Sequence, residues 1–195
     1  MSEDNYQIDL LKEPMAIGEV FAKSGMFPDV KTQAQAVVKI MAGKELMLSP
    51  FQAMSGIYMV NGKLALQAGV MSSLVKRSKK YDYTVDELTD QGCKISFYNI
   101  EKEEHRILGT SEFTFKDAAK AGLVNKDNWK NYPKNMLFAR ALSNGARWYC
   151  PDVICGWYTA EEMQDIEPAV VEPMKTIIEL TDEGEIVNGQ AETSI

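Results

Sequence analysis

At 195 residues, 45% hydrophobic and 25% charged, the chain can form one globular domain with a sizeable core, with or without a tail. It has no run near the roughly 18 uninterrupted apolar residues of a membrane helix, its acidic start MSEDNYQIDL lacks the basic-then-apolar order of a signal peptide, and its three unpatterned cysteines do not suggest a disulfide framework. A reducing cytoplasm is therefore the expected compartment, and the net charge of −7 argues at first sight against a nucleic-acid partner.

In chain order, residues 13–24 (EPMAIGEVFAKS) predict a helix. Pro14 falls in its tolerant first turn, Ile17, Val20 and Phe21 recur at helical spacing, and Gly25 stops it. Residues 31–42 predict a second helix with Ala34, Val37, Val38 and Met41 on one face and Gly43 as its end. Ser49 is a natural N-cap and Pro50 a natural first residue for a short third helix. Residues 57–66, IYMVNGKLAL, carry the strongest local signal: Asn61-Gly62 between two apolar runs supplies the positive φ angles of a type I′ hairpin turn. Residues 67–78 return to helical character, and the basic run KRSKK occupies 76–80. YDYTVDEL, CKISFYNI and HRILGTSEFTF predict three antiparallel strands, followed by a brief helix over 117–122 and, after the segment 128–152, a helix start in GWYTAEEMQ. Local clustering of strands makes the class α+β: an antiparallel hairpin and a three-stranded meander packed with helices. Residues 1–165 form the expected core, and 166–195, rich in acids and poor in periodicity, an expected flexible tail.

Charge follows the same division. From Glu161 onward ten Asp and Glu meet one lysine, Lys175, a local net of −9. The first 160 residues hold 20 Lys and Arg against 18 acids, a net of +2. An acidic end thus masks a mildly basic body. The tail serves either solubility alone, or docking of a partner and competition with DNA for a basic groove.

The segment 128–152, NWKNYPKNMLFARALSNGARWYCPD, concentrates basic and aromatic residues. Pro133 opens a helix and Pro151 closes it. At helical pitch Leu137, Phe138, Ala141, Leu142, Gly145, Trp148 and Tyr149 share a broad core-facing arc, while Arg140, Ser143, Asn144 and Arg147 share a narrow opposite stripe. The two arginines lie about 10.5 Å apart along the axis. Each guanidinium fork matches a phosphate, and the polar residues between them add neutral hydrogen bonds. Trp129 and Tyr132, just ahead of the helix, are candidate rings for base stacking. The plain alternative is an amphipathic helix with two solvated arginines, tryptophans in the core, KRSKK as a solvated helix end and Lys63 as a solubilising residue.

Enzymatic patterns are weak. His105 is the sole histidine and has no evident Ser or Cys partner, so it reads as a surface residue. Cys150 and Cys155, with one further cysteine, make a poor zinc set. No GxxxxGK[ST] phosphate loop occurs, which an ATP-driven recombinase would need. Acidic pairs such as Asp86-Glu87 and Glu161-Glu162 have no nuclease-like spacing.

The run LSPFQAMSGIYMVNGKLAL resembles a segment of RecT-family (RecT/Redβ-like) phage recombinases, in which a short L-x-P-x-x-A helix precedes a hairpin centred on Asn-Gly. The run from Asp117 to Met163 is similar to that family too: D-A-x-x-A-G-L, then W-x-x-Y-P-x-x-M-L-x-x-R-A, R-x-x-x-P-D-V and Y-T-x-E-E. The resemblance spans roughly residues 30–163, and its order and spacing are more specific than any one motif. It implies a non-enzymatic single-strand annealing protein in a bacterial host cytoplasm, without ATP or another resident cofactor, with Mg2+ at most accompanying DNA. It implies ring or helical homo-oligomers, a partner exonuclease, contact with a host single-strand-binding protein, and no membrane association. Carried to this chain, Lys63, Lys76, Arg77, Lys79 and Lys80 line a DNA groove from the hairpin side. Lys134, Arg140 and Arg147, with Asn144, Trp129 and Tyr132, line it from the helix side. Two rivals stand beside this reading: a phage-encoded interaction protein that inhibits a host DNA-processing or defence factor through a DNA-like acidic surface, and a metal-dependent nuclease.

Overall fold

The computed structural model describes residues 3–60, 62–101, 105–165, 178–180 and 186–188, with backbone alone for 3–11 and the last two stretches. Helix α1 (Glu3–Ser24) packs on α2 (Gln33–Glu45), which packs in turn on α3 (Pro50–Gly56). Helix α1 starts ten residues before the predicted position, so Pro14 lies inside it and not in its first turn. A proline there removes one backbone hydrogen bond; the ring is buried, and that packing offsets the loss. Helix α2 begins with a capping box between Thr32 and Gln35, and α3 with one between Ser49 and Gln52. Gly43 does not end α2. It lies within the helix, where a Cβ would stand 2.2 Å from the Cβ of Ala53, so glycine lets α3 approach closely. The turn after α2 instead uses Met47, a left-handed non-glycine residue (φ 54°) that is 84% exposed. Phe21, Phe27 and Phe51 meet edge to face and close this helical layer.

Strands β1 (Ile57–Val60) and β2 (Lys63–Leu66) pair antiparallel with Val60 opposite Lys63, so the loop has two residues, and Gly62 takes φ 73°. Asn61 lies outside the described residues. Helix α4 (Ala68–Arg77) leads into a three-stranded antiparallel meander, β3 (Tyr81–Leu88), β4 (Gly92–Asn99) and β5 (Arg106–Thr114), with β4 central. The α+β class read from the sequence is the one observed. On β4, Cys93, Ile95 and Phe97 alternate onto the face that meets the helices.

Two short helices, α5 (Phe115–Lys120) and α6 (Asp127–Asn131), precede α7 (Pro133–Tyr149), which runs across β4 and β5. Gly145 admits the Phe97 ring: a Cβ there would lie 2.1 Å from Phe97 Cε2. Neither α6 nor α8 (Pro151–Ile154) is predicted by the sequence pattern, because turns of five and four residues are too short to show periodicity. Cys155 follows α8 in a left-handed conformation, and α9 (Ala160–Met163) begins at the N-cap Thr159. Among the described residues no helix is long and apolar enough to cross a membrane. In the expected tail, β6 (Ile178–Leu180) and β7 (Ile186–Asn188) pair antiparallel; the rest of 166–195 lies outside the described residues.

Candidate nucleic-acid interface

The cations singled out in the sequence fall into two groups with different surroundings. The first sits where α4 ends and β3 begins. Lys76 and Arg77 occupy the last turn of α4, where the helix dipole favours positive charge. Lys76 Nζ donates to the Asp82 carboxylate and to Tyr83 O at 2.8 Å, and lies 4.5 Å from the centre of the Tyr83 ring. Burial would raise the Asp82 pKa, but hydrogen bonds from Lys76 and the Tyr83 amide, with the Lys76 charge, bring it below the usual range. Lys80 Nζ donates to Asp152 Oδ2 at 2.7 Å, and that bond is the main cause of its raised pKa. Among the described residues Arg77 donates only to backbone carbonyls, those of Leu46 (3.2 Å) and Met47 (3.5 Å). Lys79 is exposed, left-handed (φ 55°) and without a side-chain partner among the described residues.

Two open clefts meet at Arg77. One of about 350 Å³ is lined by Leu48, Gln52, Val70, Ser73, Lys76 and Arg77. The other, of about 250 Å³, lies between Glu45–Met47 and Asp152–Cys155, with Arg77 and Lys80 in its wall.

The second group is on α7, and here the expected geometry is corrected. The stripe of Arg140, Ser143, Asn144 and Arg147 does not face solvent: Ser143 is fully buried, and the arginine side chains are only 14% and 19% exposed. Glu162 of α9 grips Arg147 through both carboxylate oxygens, at 2.7 Å and 3.0 Å, and accepts the Ser143 hydroxyl at 2.6 Å. Arg140 reaches Glu162 Oε1 at 3.3 Å and Asp165 Oδ2 at 3.1 Å. Asn144 Oδ1 accepts from Arg147 at 2.9 Å, so it is a brace for that guanidinium. Burial alone would raise the Glu162 pKa; the Arg147 and Ser143 hydrogen bonds, with two guanidinium charges, outweigh it and lower the pKa.

Trp129 is also corrected. It is 1% exposed, packs near Phe113, and its indole N–H donates to both oxygens of Asp165 at 3.3 Å and 3.2 Å. It offers no face for stacking. Tyr132 is 63% exposed, as a stacking ring requires. Trp148, assigned to the core arc, is instead 61% exposed at the far end of α7. Trp148 sits at the margin of the arc, one turn on from the half-buried Asn144, while Leu137, Ala141, Leu142 and Gly145 are buried as expected and Tyr149 packs on the meander against Phe97. Phe138 and Tyr149 are half-buried. Lys134 and Lys63 are exposed, with no side-chain partner among the described residues.

Sequence reasoning missed Glu162 and Asp165. The Thr159-x-x-Glu162 spacing marks a helix start, and the Glu162 N–H does bond Thr159 Oγ1 at 3.2 Å, but nothing in that motif names the arginines as partners. For covalent chemistry the surroundings are unhelpful. His105 is exposed. Burial pushes the Cys93 thiol up to about 11 and the Cys150 thiol to about 12, which disfavours the reactive thiolate. Among the described residues, no three His, Cys, Asp or Glu side chains gather to hold a metal ion.

No protein-family model, curated protein or solved structure matches this chain. The functional reading therefore rests on the motif resemblance and on the geometry above.

Proposed function

We propose that this chain binds single-stranded DNA and anneals complementary strands without ATP, as a homo-oligomer that acts in phage recombination beside an exonuclease and a host single-strand-binding protein. The observation that carries the reading is the α4–β3 corner. Arg77 stands between two open clefts with carbonyl oxygens as its only hydrogen-bond partners among the described residues, Lys76 and Lys80 each line one cleft, and the exposed Lys79 neighbours Lys80 in the chain. Such a corner suits a phosphate backbone held without sequence readout. Among the described residues, Tyr132 and Trp148 are the most exposed rings and can serve for stacking. Alignment of two neutralised strands, summed over neighbouring subunits, supplies annealing with no covalent step.

The test is annealing of two complementary oligonucleotides without ATP, with magnesium and with chelator, for the parent chain and Arg77→Ala/Lys79→Ala. The parent should anneal, and the variant should lose binding with a salt slope shallower by about 1.4, two contacts at about 0.7 each for single strands. A variant that anneals as the parent does sinks the corner as the DNA site. A second reading, an interaction protein with a DNA-like acidic surface, is favoured by the internal pairing of Lys76, Lys80, Arg140 and Arg147 with carboxylates. It requires a parent chain that neither binds nor anneals DNA and gains no DNA affinity when residues 166–195 are deleted.

A further inference from the structure

The slot between the β1–β2 hairpin and α7 is filled by α9. On one side Ala160 and Met163 pack with Ala65 and Val60 of the hairpin, Leu66 bridges Thr159, and the Leu66 N–H donates to Tyr158 O at 2.9 Å. On the other side Glu162 and Asp165 face the α7 arginines. So an acidic four-residue helix lies between the hairpin and the arginine helix and contacts both.

What α9 presents to the arginines is what a phosphate would present. A guanidinium fork accepts carboxylate and phosphate oxygens in the same bidentate geometry. Arg147 is fully engaged in this way, but Arg140 is not. It makes one contact to each of two separate carboxylates, at 3.3 Å and 3.1 Å, and its Nε is buried with no hydrogen-bond partner. A single phosphodiester, whose two non-bridging oxygens sit on one phosphorus, suits the donors of one guanidinium better than two divergent carboxylates do. Lys126 adds a third cation 3.3 Å from Asp165, so among the described residues three cations, Arg140, Arg147 and Lys126, pair with two carboxylates, those of Glu162 and Asp165. Glu161 does not change this balance at the arginines, since its bonded oxygen faces the Ala68 N–H at 3.5 Å.

We propose that this slot is a phosphodiester-binding groove whose resting occupants are the Glu162 and Asp165 carboxylates, which the backbone of a DNA strand displaces. The proposal rests on the DNA reading above. It makes α9 an internal phosphate mimic. Binding to one subunit is then opposed by a buried ion-pair network, and a row of adjoining subunits on one strand overcomes that opposition by summed contacts. Strand capture and coat assembly become coupled.

The test uses the full chain and Glu162→Gln/Asp165→Asn, which keeps the shape and one acceptor oxygen per side chain while removing both charges. Anisotropy of a dye-labelled oligothymidine is followed across a potassium chloride series. The variant should bind more tightly, with a slope of log affinity against log salt steeper by about 1.4, for two added phosphate contacts at about 0.7 each. Parent and variant binding alike, with equal slopes, overturn the displacement and leave the DNA reading intact. Neither binding overturns both. A variant that loses its fold by circular dichroism is replaced by hydrogen exchange on the unmodified chain. DNA should there deprotect the amides of residues 160–163 while α7 stays protected. Full protection of α9 in the DNA complex overturns the proposal.

Discussion

The α4–β3 corner and the α7 stripe look alike as sequence: each is a short stretch with two or more cations at helical or near-helical spacing. In three dimensions they differ in where their counter-charges sit. At the corner the carboxylates of Asp82 and Asp152 are themselves substantially exposed, so the pairs are screened by water, and Arg77 has no carboxylate partner among the described residues. On α7 the carboxylates of Glu162 and Asp165 are 6% and 0% exposed, and the arginines are locked into a network that includes Ser143 and Trp129. Cationic sequence thus marks a place where anions are welcome; burial decides whether the protein has already supplied them.

The sharpest way to break this comparison is Glu162→Ala. Removing one side of a buried pair leaves Arg147 without its bidentate carboxylate and Ser143 without its acceptor, and the loss expected is about 3–5 kcal/mol by chemical denaturation. A loss below about 1 kcal/mol, the range of exposed pairs, would place the stripe in the same class as the corner.

A pH test separates two adjacent acids within α9. The Glu162 pKa is lowered, so its stabilisation is present above the unfolded-state value and disappears as pH falls through the lower folded value. Glu161 has the opposite sign. Burial raises its pKa, one of its oxygens is buried without a partner, and its stabilisation is present at low pH and lost as pH rises through the raised folded value. Glu161→Gln should therefore gain on the parent in thermal midpoint between pH 4 and pH 7. A gap that is constant or shrinks over that range contradicts the assignment.

The smallest effect is expected at the corner. Lys76→Gln removes an exposed pair, and stability should change by less than about 1 kcal/mol. The DNA salt slope should fall while the melting curve hardly moves. A large drop in stability would mean that Lys76, through Tyr83 and Asp82, holds β3 in place, making the corner structural as well.

Much of the fold was legible because its signals are local. Asn61-Gly62, Ser49-Pro50 and the run CKISFYNI point to a turn, a cap and a strand through interactions a few residues long. Gly43 shows the limit: glycine after an apolar stripe signals a helix end, yet here it serves the approach of Ala53, ten residues further on. The tryptophans show it again. Trp129, offered by the sequence as a stacking ring, is buried against Phe113 and Asp165; Trp148, assigned to the core arc, is exposed at that arc's margin.

By itself the sequence determined the α+β class, most helix and strand positions, the hairpin, and the division between a mildly basic body and an acidic end. These follow from periodicity, turn chemistry and charge counts, which act over one or two turns of chain. Only the tertiary structure decided which cations remain available. Glu162 lies 22 residues from Arg140 in the chain, and Asp165 lies 36 from Trp129, yet each pair is in contact. The pairing of a buried charge depends on which segment the packed core brings against it, and no local pattern encodes that choice.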